Sequence, residues 1–191
     1  MSKQEVKAIA RELKTQVMII GGFVVLLWAI ELINSLLGRA LNVYGVIPRT
    51  GIGLRGILFM PFLHGNFAHL AANTIPLIIL GWLIMLRKTS DFFTVSIVTM
   101  VVSGLGIWLT GAPHSVHIGA SGLIFGYLGF LLLRGYFERR ISSIILSLMV
   151  GLVYGSLIWG VLPSQPGISW QGHLFGLIGG GLAAKLLAKP K

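Results

Sequence analysis

Long apolar runs, separated by short polar and basic connections, fill most of the chain. Six of them approach or reach the ~17–25 residues that a helix needs to cross a bilayer. They are Val17–Leu37, Leu70–Leu86, Phe92–Thr110, Ala120–Leu133, Ile141–Leu162 and Gln171–Ala188. Only helices and closed barrels satisfy their backbone groups in lipid, and runs of this length predict helices. The expectation is an all-α membrane protein, a bundle of six transmembrane helices forming a single domain over residues 1–191. The fourth run is short: at 1.5 Å per residue, Ala120–Leu133 covers about 21 Å of a ~30 Å hydrocarbon core. Ahead of the first run, Val6, Ile9, Leu13 and Val17 recur at helical spacing opposite Lys3, Lys7, Arg11 and Lys14. Residues 1–16 are therefore expected to form a basic amphipathic cytoplasmic segment lying on an anionic leaflet. A plain charged anchor accounts for the same residues equally well. The segment is too polar to be a signal-peptide core, so the first span is expected to be retained. Between Gly38 and His69 the first loop carries an apolar stretch, Gly56–Leu63, expected to dip into the membrane edge or pack on the bundle.

Composition agrees with the pattern. The 191 residues are 55% hydrophobic and 10% charged, with mean hydropathy +0.88, whereas a soluble domain is about a quarter charged. A soluble globular protein and a disordered nucleic-acid-binding arm are both excluded. The absence of cysteine excludes a disulfide framework, thiol catalysis and Cys-ligated metal centres. The net charge of +10 becomes informative through its placement. Twelve of the fifteen Lys and Arg residues precede the first run, join runs two to three and four to five, or lie at the end of the chain (Lys185, Lys189, Lys191); Arg39, Arg49 and Arg55 lie in the first loop. By the positive-inside rule both termini are cytoplasmic and the number of spans is even. The simple basic N-terminus favours a bacterial plasma membrane.

Chemistry has few residues to use. The acidic side chains are Glu5, Glu12, Glu31, Asp91 and Glu138, with Glu31 alone in the first span. No outer pair of carboxylates exists for aspartyl chemistry, there is no HExxH motif, and a proton relay lacks its carboxylates. The five histidines, His64, His69, His114, His117 and His173, all fall toward the outer side. A histidine-only metal site using His114 and His117 has no carboxylate or thiolate to help it, so neither metal nor cofactor is expected.

Gly119-Ala120-Ser121-Gly122 opens the fourth run, whose shortness sets Ser121 below the outer surface, at a helix N-terminus with N–H groups able to face an oxyanion. Gly122, Gly126 and Gly129 form a face one position from Ser121. In the sixth run His173, Gly176 and Gly180 share another. Small residues at this spacing let two helices approach closely. That approach would bring the Ser121 hydroxyl within reach of the His173 imidazole, the nucleophile–base arrangement of acyl transfer. Two glycine-packed helices that happen to carry Ser and His are the alternative. His69 and Asn73, four residues apart on one helix face, offer donors to an oxyanion, or hydrogen bonds to the first loop.

Three segments in this order, the H-x4-H-x3-N run at His64–Asn73, GASG around Ser121, and H-x-x-G-x-x-x-G at His173–Gly180, resemble the rhomboid family of intramembrane serine proteases in its minimal six-helix form. The resemblance implies a Ser–His dyad without a carboxylate, with Ser121 as nucleophile and His173 as general base. It implies an oxyanion hole from His69, Asn73 and the Ser121 N–H, with His64, Gly119, Gly122, Phe125 and Gly176 in support. It also implies transmembrane protein substrates entering past span five, with loop Pro163–Trp170 as a cap, in a setting of membrane lipids and without nucleic acid. The sequence departs from the family in three places. Phe125 stands where Tyr is common, Leu54-Arg55 where Trp-Arg is common, and Arg87-Lys88 lacks the usual nearby Glu. A catalytically silent rhomboid-like scaffold is the rival; such proteins usually lack the Ser or the His, and both are present here. A small transporter is disfavoured by the lack of buried charge pairs. No oligomeric state follows from the sequence.

Overall fold

The computed structural model describes residues 2–163 and 167–188. Among these there are seven α-helices and no β-strand: α1 (Lys3–Leu36), α2 (Gly56–Phe59), α3 (Phe67–Met85), α4 (Thr89–Thr110), α5 (Ser121–Glu138), α6 (Ile141–Tyr154) and α7 (Trp170–Leu187). By length and composition four segments are long and apolar enough to cross a membrane: α1, α3, α4 and Ile141–Val161, which is α6 with its 3-10 continuation. α5 and α7 are not among them, because they carry His173, Gln171, Arg134, Glu138 and many glycines.

The packing explains why these two tolerate such residues. α5 buries thirteen of its eighteen residues and is flanked by α3, α4, α6 and α7. Its polar groups meet protein rather than lipid, so low hydropathy carries little penalty there. The glycine faces interlock as their spacing predicts. A Cβ on Gly176 would overlap the carbonyl of Gly122, one on Gly180 the carbonyl of Gly126, and one on Gly129 the carbonyl of Leu177. Backbone meets backbone, which no larger residue permits. Leu70, Leu77, Leu80, Ile84, Leu128 and Leu131, none of them exposed, fill the space between α3 and α5.

Several expectations need correction. The amphipathic segment is not a separate surface helix: α1 runs unbroken from Lys3 to Leu36, about 51 Å. Nothing between Lys14 and Val17 stops a helix, while Ser2 and Glu5 start it with a reciprocal capping box. Gly38 and Arg39, at φ 60° and 71°, end it. The fourth helix is not fourteen residues long. It continues to Glu138, about 27 Å, because Arg134 and Glu138 do not mark its end. Arg134 lies 3.2 Å from Glu138, which also pairs with Arg87 and accepts from Ser143. The shortness that set Ser121 below the surface is therefore largely lost.

Glu31 is not alone, since Arg39 folds back to pair with it. Arg134 and Glu138 form a buried charge pair and Glu31 a partly buried one with Arg39, so the supposed lack of such pairs is no ground against transport. Arg87, in the turn between α3 and α4, does find acidic partners, Asp91 in the first turn of α4 and Glu138 on α5.

The first loop packs on the bundle, as its apolar stretch requires. It is built of α2 and 3-10 turns at Ala40–Tyr44, Ile52–Arg55 and Met60–Phe62, with α2 against α4. Arg55 anchors it without a neighbouring Trp: its guanidinium bonds the Val43 carbonyl at 3.0 Å and sits 4.4 Å from the Tyr44 ring centre. Val46 and His117 exchange two backbone hydrogen bonds, at 3.0 and 2.9 Å, tying this loop to the one that leads into α5.

Candidate active site

Ser121 is the first residue of α5, preceded by Ala120, which offers no side-chain cap. Gly119 before it has φ 124°, a conformation that L-residues rarely adopt. Side-chain crowding adds to this constraint, because a Cβ on Gly119 would stand 2.9 Å from His69 Cε1. His69 thus lies over the turn that presents Ser121. Beneath it His64 is fully buried and accepts the Ala120 N–H at Nε2 (3.4 Å); the His64 and His69 rings are 5.1 Å apart at 72°. Burial foremost, then the neighbouring His69, opposed by the Phe62 carbonyl, lowers the His64 pKa to about 3. His64 is therefore neutral.

His173 lies one turn into α7, whose close approach to α5 brings its Nε2 to 2.9 Å from Ser121 Oγ. Its Nδ1 is 2.8 Å from the Gly160 carbonyl, on the 3-10 segment Gly155–Val161. A carbonyl only accepts, so Nδ1 carries the proton and Nε2 presents a lone pair to the serine hydroxyl. The Phe125 ring stacks on the imidazole at 4.0 Å and 5°. Gly160 has no room for a side chain, since a Cβ there would reach 2.7 Å from Phe125 Cζ.

The N-terminus of α7 is held by a hydrogen-bonded chain. Ser169 caps it, accepting the Gly172 N–H at 3.3 Å. His117 lies 2.7 Å from Ser169 Oγ through Nδ1 and 2.8 Å from Ser115 Oγ through Nε2. Ser115 donates to the Ala112 carbonyl at 2.6 Å. Nε2 of His117 is thus the donor to Ser115, and Nδ1 accepts from Ser169. Burial lowers the His117 pKa, which suits this neutral form.

Asn73 follows His69 by one turn of α3. It is 7% exposed, and its Nδ2 has no acceptor among the described residues. A buried amide donor without a partner is costly in a folded protein.

The residues singled out from the sequence thus divide. Ser121, His173, Phe125, Gly122 and Gly176 meet at the α5–α7 contact; His64, His69 and Gly119 frame the turn before Ser121. His117 bonds Ser169 and Ser115. His114 is exposed, at φ 62°. Loop Pro163–Trp170 lies partly outside the described residues. Two groups were missed. The Gly160 carbonyl has no sequence signature. Ser169 does have one, as a helix-capping residue three positions ahead of Gly172.

A family model for the Rhomboid domain matches residues 53–190. The uncharacterized protein Rv1337 of Mycobacterium tuberculosis is 46% identical over 177 residues, covering 88% of this chain and 74% of that protein. The putative rhomboid protease YdcA of Bacillus subtilis is 31% identical over 136 residues, covering 68% of this chain and 65% of its own length. Rhomboid protease GluP of the same organism is 34% identical over 135 residues, 68% of this chain and 25% of GluP.

Proposed function

The chain belongs to the rhomboid family, and from that premise we propose that it is an intramembrane serine endopeptidase acting through Ser121 and His173. The observation that carries this reading is the 2.9 Å contact between Ser121 Oγ and His173 Nε2, with Nδ1 committed to the Gly160 carbonyl. The proton on Nδ1 leaves Nε2 free to take the serine proton as Oγ attacks a peptide carbonyl. The Gly160 carbonyl then faces the charged imidazolium, holding tautomer and orientation as an aspartate does in a triad. His173 returns the proton to the leaving amine, and water hydrolyses the acyl-enzyme.

The developing oxyanion lies at the N-terminus of α5. There the Ser121 N–H, His69 and the unpartnered Asn73 amide supply donors. His64, Gly119 and Gly122 shape the turn and its contacts, and Phe125 and Gly176 set the imidazole. Substrates are transmembrane segments of other membrane proteins. In this reading α5 and α7 complete six crossings of a single domain, with both termini in the cytoplasm of a bacterial cell; the placement of the basic residues supports it.

The test is a fluorophosphonate probe, a mechanism-based serine reagent, applied to the detergent-purified protein. It should label Ser121, and Ser121→Ala and His173→Ala should each abolish both labelling and cleavage of a model transmembrane substrate. The double variant should be no worse than either single one. A folded protein that resists labelling and leaves substrates intact overturns the reading.

A further inference from the structure

At the end of the bundle opposite Ser121, a cavity of about 410 Å³ opens between the α3–α4 turn, α5 and α6. Arg87, Arg134 and Arg140 face it, with Ser142 beside them. Their charge is incompletely balanced. Glu138 pairs with Arg87 and Arg134, and Asp91 lies 3.2 Å from Arg87, so two carboxylates serve three guanidinium groups. Among the described residues Arg140 has no acidic partner. Arg134 is 6% exposed, and its buried Nη1 has no acceptor among the described residues. The excess of guanidinium charge around the cavity favours an anion there.

The opposite wall is apolar. Ile145 and Met149 line the cavity yet are 52% and 60% exposed, on a helix that buries only Ser143 and Val150. The cavity therefore has a basic floor that continues sideways into an apolar flank. A free phosphate uses the floor alone, whereas a phospholipid uses both, its phosphodiester among the arginines and an acyl chain along α6. We propose that this cavity binds the phosphate headgroup of an anionic phospholipid, with Arg134, Arg140 and Ser142 as donors and Ile145 and Met149 as the bed of the acyl chain. Glu138 stands 17 residues from Ser121 on α5, about 26 Å. The site is thus distinct from the Ser–His pair and does not depend on the proteolytic reading.

Thermal unfolding and native mass spectrometry of the full chain in neutral detergent test the site. Phosphatidylglycerol should raise the melting temperature saturably and remain bound as one molecule. Phosphatidylcholine and inorganic phosphate at equal concentration should do neither. Arg140→Gln alters an exposed residue with no ion pair. It should weaken phosphatidylglycerol binding roughly fivefold, the worth of one basic side chain at an anionic surface. Arg134→Gln should weaken it further, and Arg140→Gln keeps the test decisive if that variant does not fold. Equal stabilisation by phosphatidylcholine, or Arg140→Gln binding as wild type, overturns the proposal. Phosphate as effective as the lipid assigns the site to a free anion and overturns it equally.

Discussion

Replacing Gly176 by alanine puts a methyl group where α7 meets the backbone of α5. The new Cβ would stand 3.1 Å from the Gly122 carbonyl carbon and closer still to its oxygen, against 3.4–4 Å for ordinary contact. Both partners are helix backbone, so no side chain can swing away. The helices must separate by about 1 Å to restore van der Waals distance. Ser121 adjoins Gly122, and His173 lies one turn before Gly176 on the same face, so the separation falls on their contact. The Oγ–Nε2 distance of 2.9 Å becomes about 4 Å, beyond a hydrogen bond.

A misplacement of about 1 Å at a catalytic contact lowers turnover by roughly 10²-fold, about 2.7 kcal/mol of barrier. Overpacking separately lowers stability by about 1–3 kcal/mol. Gly22→Ala is the control, because nothing lies within 4 Å of its Cβ. It should be neutral or stabilise by about 0.5–1 kcal/mol through helix propensity. The assay is turnover of a labelled transmembrane substrate together with the fluorophosphonate labelling rate, each at a temperature where both variants are folded. Gly176→Ala with wild-type turnover and labelling refutes the claim that glycine packing sets the Ser–His contact.

Asn73→Ala should reduce turnover by about 10²–10³ if its amide serves an oxyanion, with no loss of melting temperature because it has no partner in the resting protein. Normal turnover with a lower melting temperature removes it from the site. Ser169→Ala should cost about 1 kcal/mol as a lost helix cap, a fall of about 2–4 °C in melting temperature for a chain of this size. An unchanged melting temperature contradicts the capping role.

His64 predicts a pH dependence of stability. Its pKa is lowered from 6.5 to about 3, so below pH 6.5 the unfolded chain binds the proton that the folded chain refuses. Stability should then fall by up to about 1.4 kcal/mol per pH unit from about 6.5 toward 3. Thermal unfolding at pH 7.5, 6 and 5 should show this, and His64→Gln should flatten it. An equally steep fall in that variant assigns the effect elsewhere.

What could be read from the sequence was local. Glycines three and four residues apart share a helix face wherever the helix sits, so Gly122, Gly126, Gly176 and Gly180 announced the α5–α7 contact without any knowledge of topology. His69 and Asn73 share a face by the same rule. What was misread depended on distant partners. Glu31 looks unpaired until the turn at Gly38 and Arg39 reverses the chain. Arg134 looks like the end of a span until Glu138, four residues on and also held by Arg87, pairs with it. The Gly160 carbonyl that orients His173 was invisible for a different reason: every residue has a carbonyl, and only the path of the 3-10 segment aims this one.

The same division explains why hydropathy singles out four helices and passes over α5 and α7. Crossing lipid requires apolar side chains only on surfaces that meet lipid. α1, α3, α4 and α6 supply those surfaces. α5, enclosed by its neighbours, is released from the requirement, and α7 keeps its polar and glycine positions against α4 and α5. Freed positions there hold Ser121, His173 and the glycines that bring them together. A hydroxyl and an imidazole placed on a lipid-facing helix would be desolvated without partners. Placed on the interior pair, each desolvated group finds one, with His173 bonded at both nitrogens and Ser121 bonded to His173. The helices that look least like membrane spans are therefore the ones able to carry chemistry, and burial inside the protein is the physical reason for both properties.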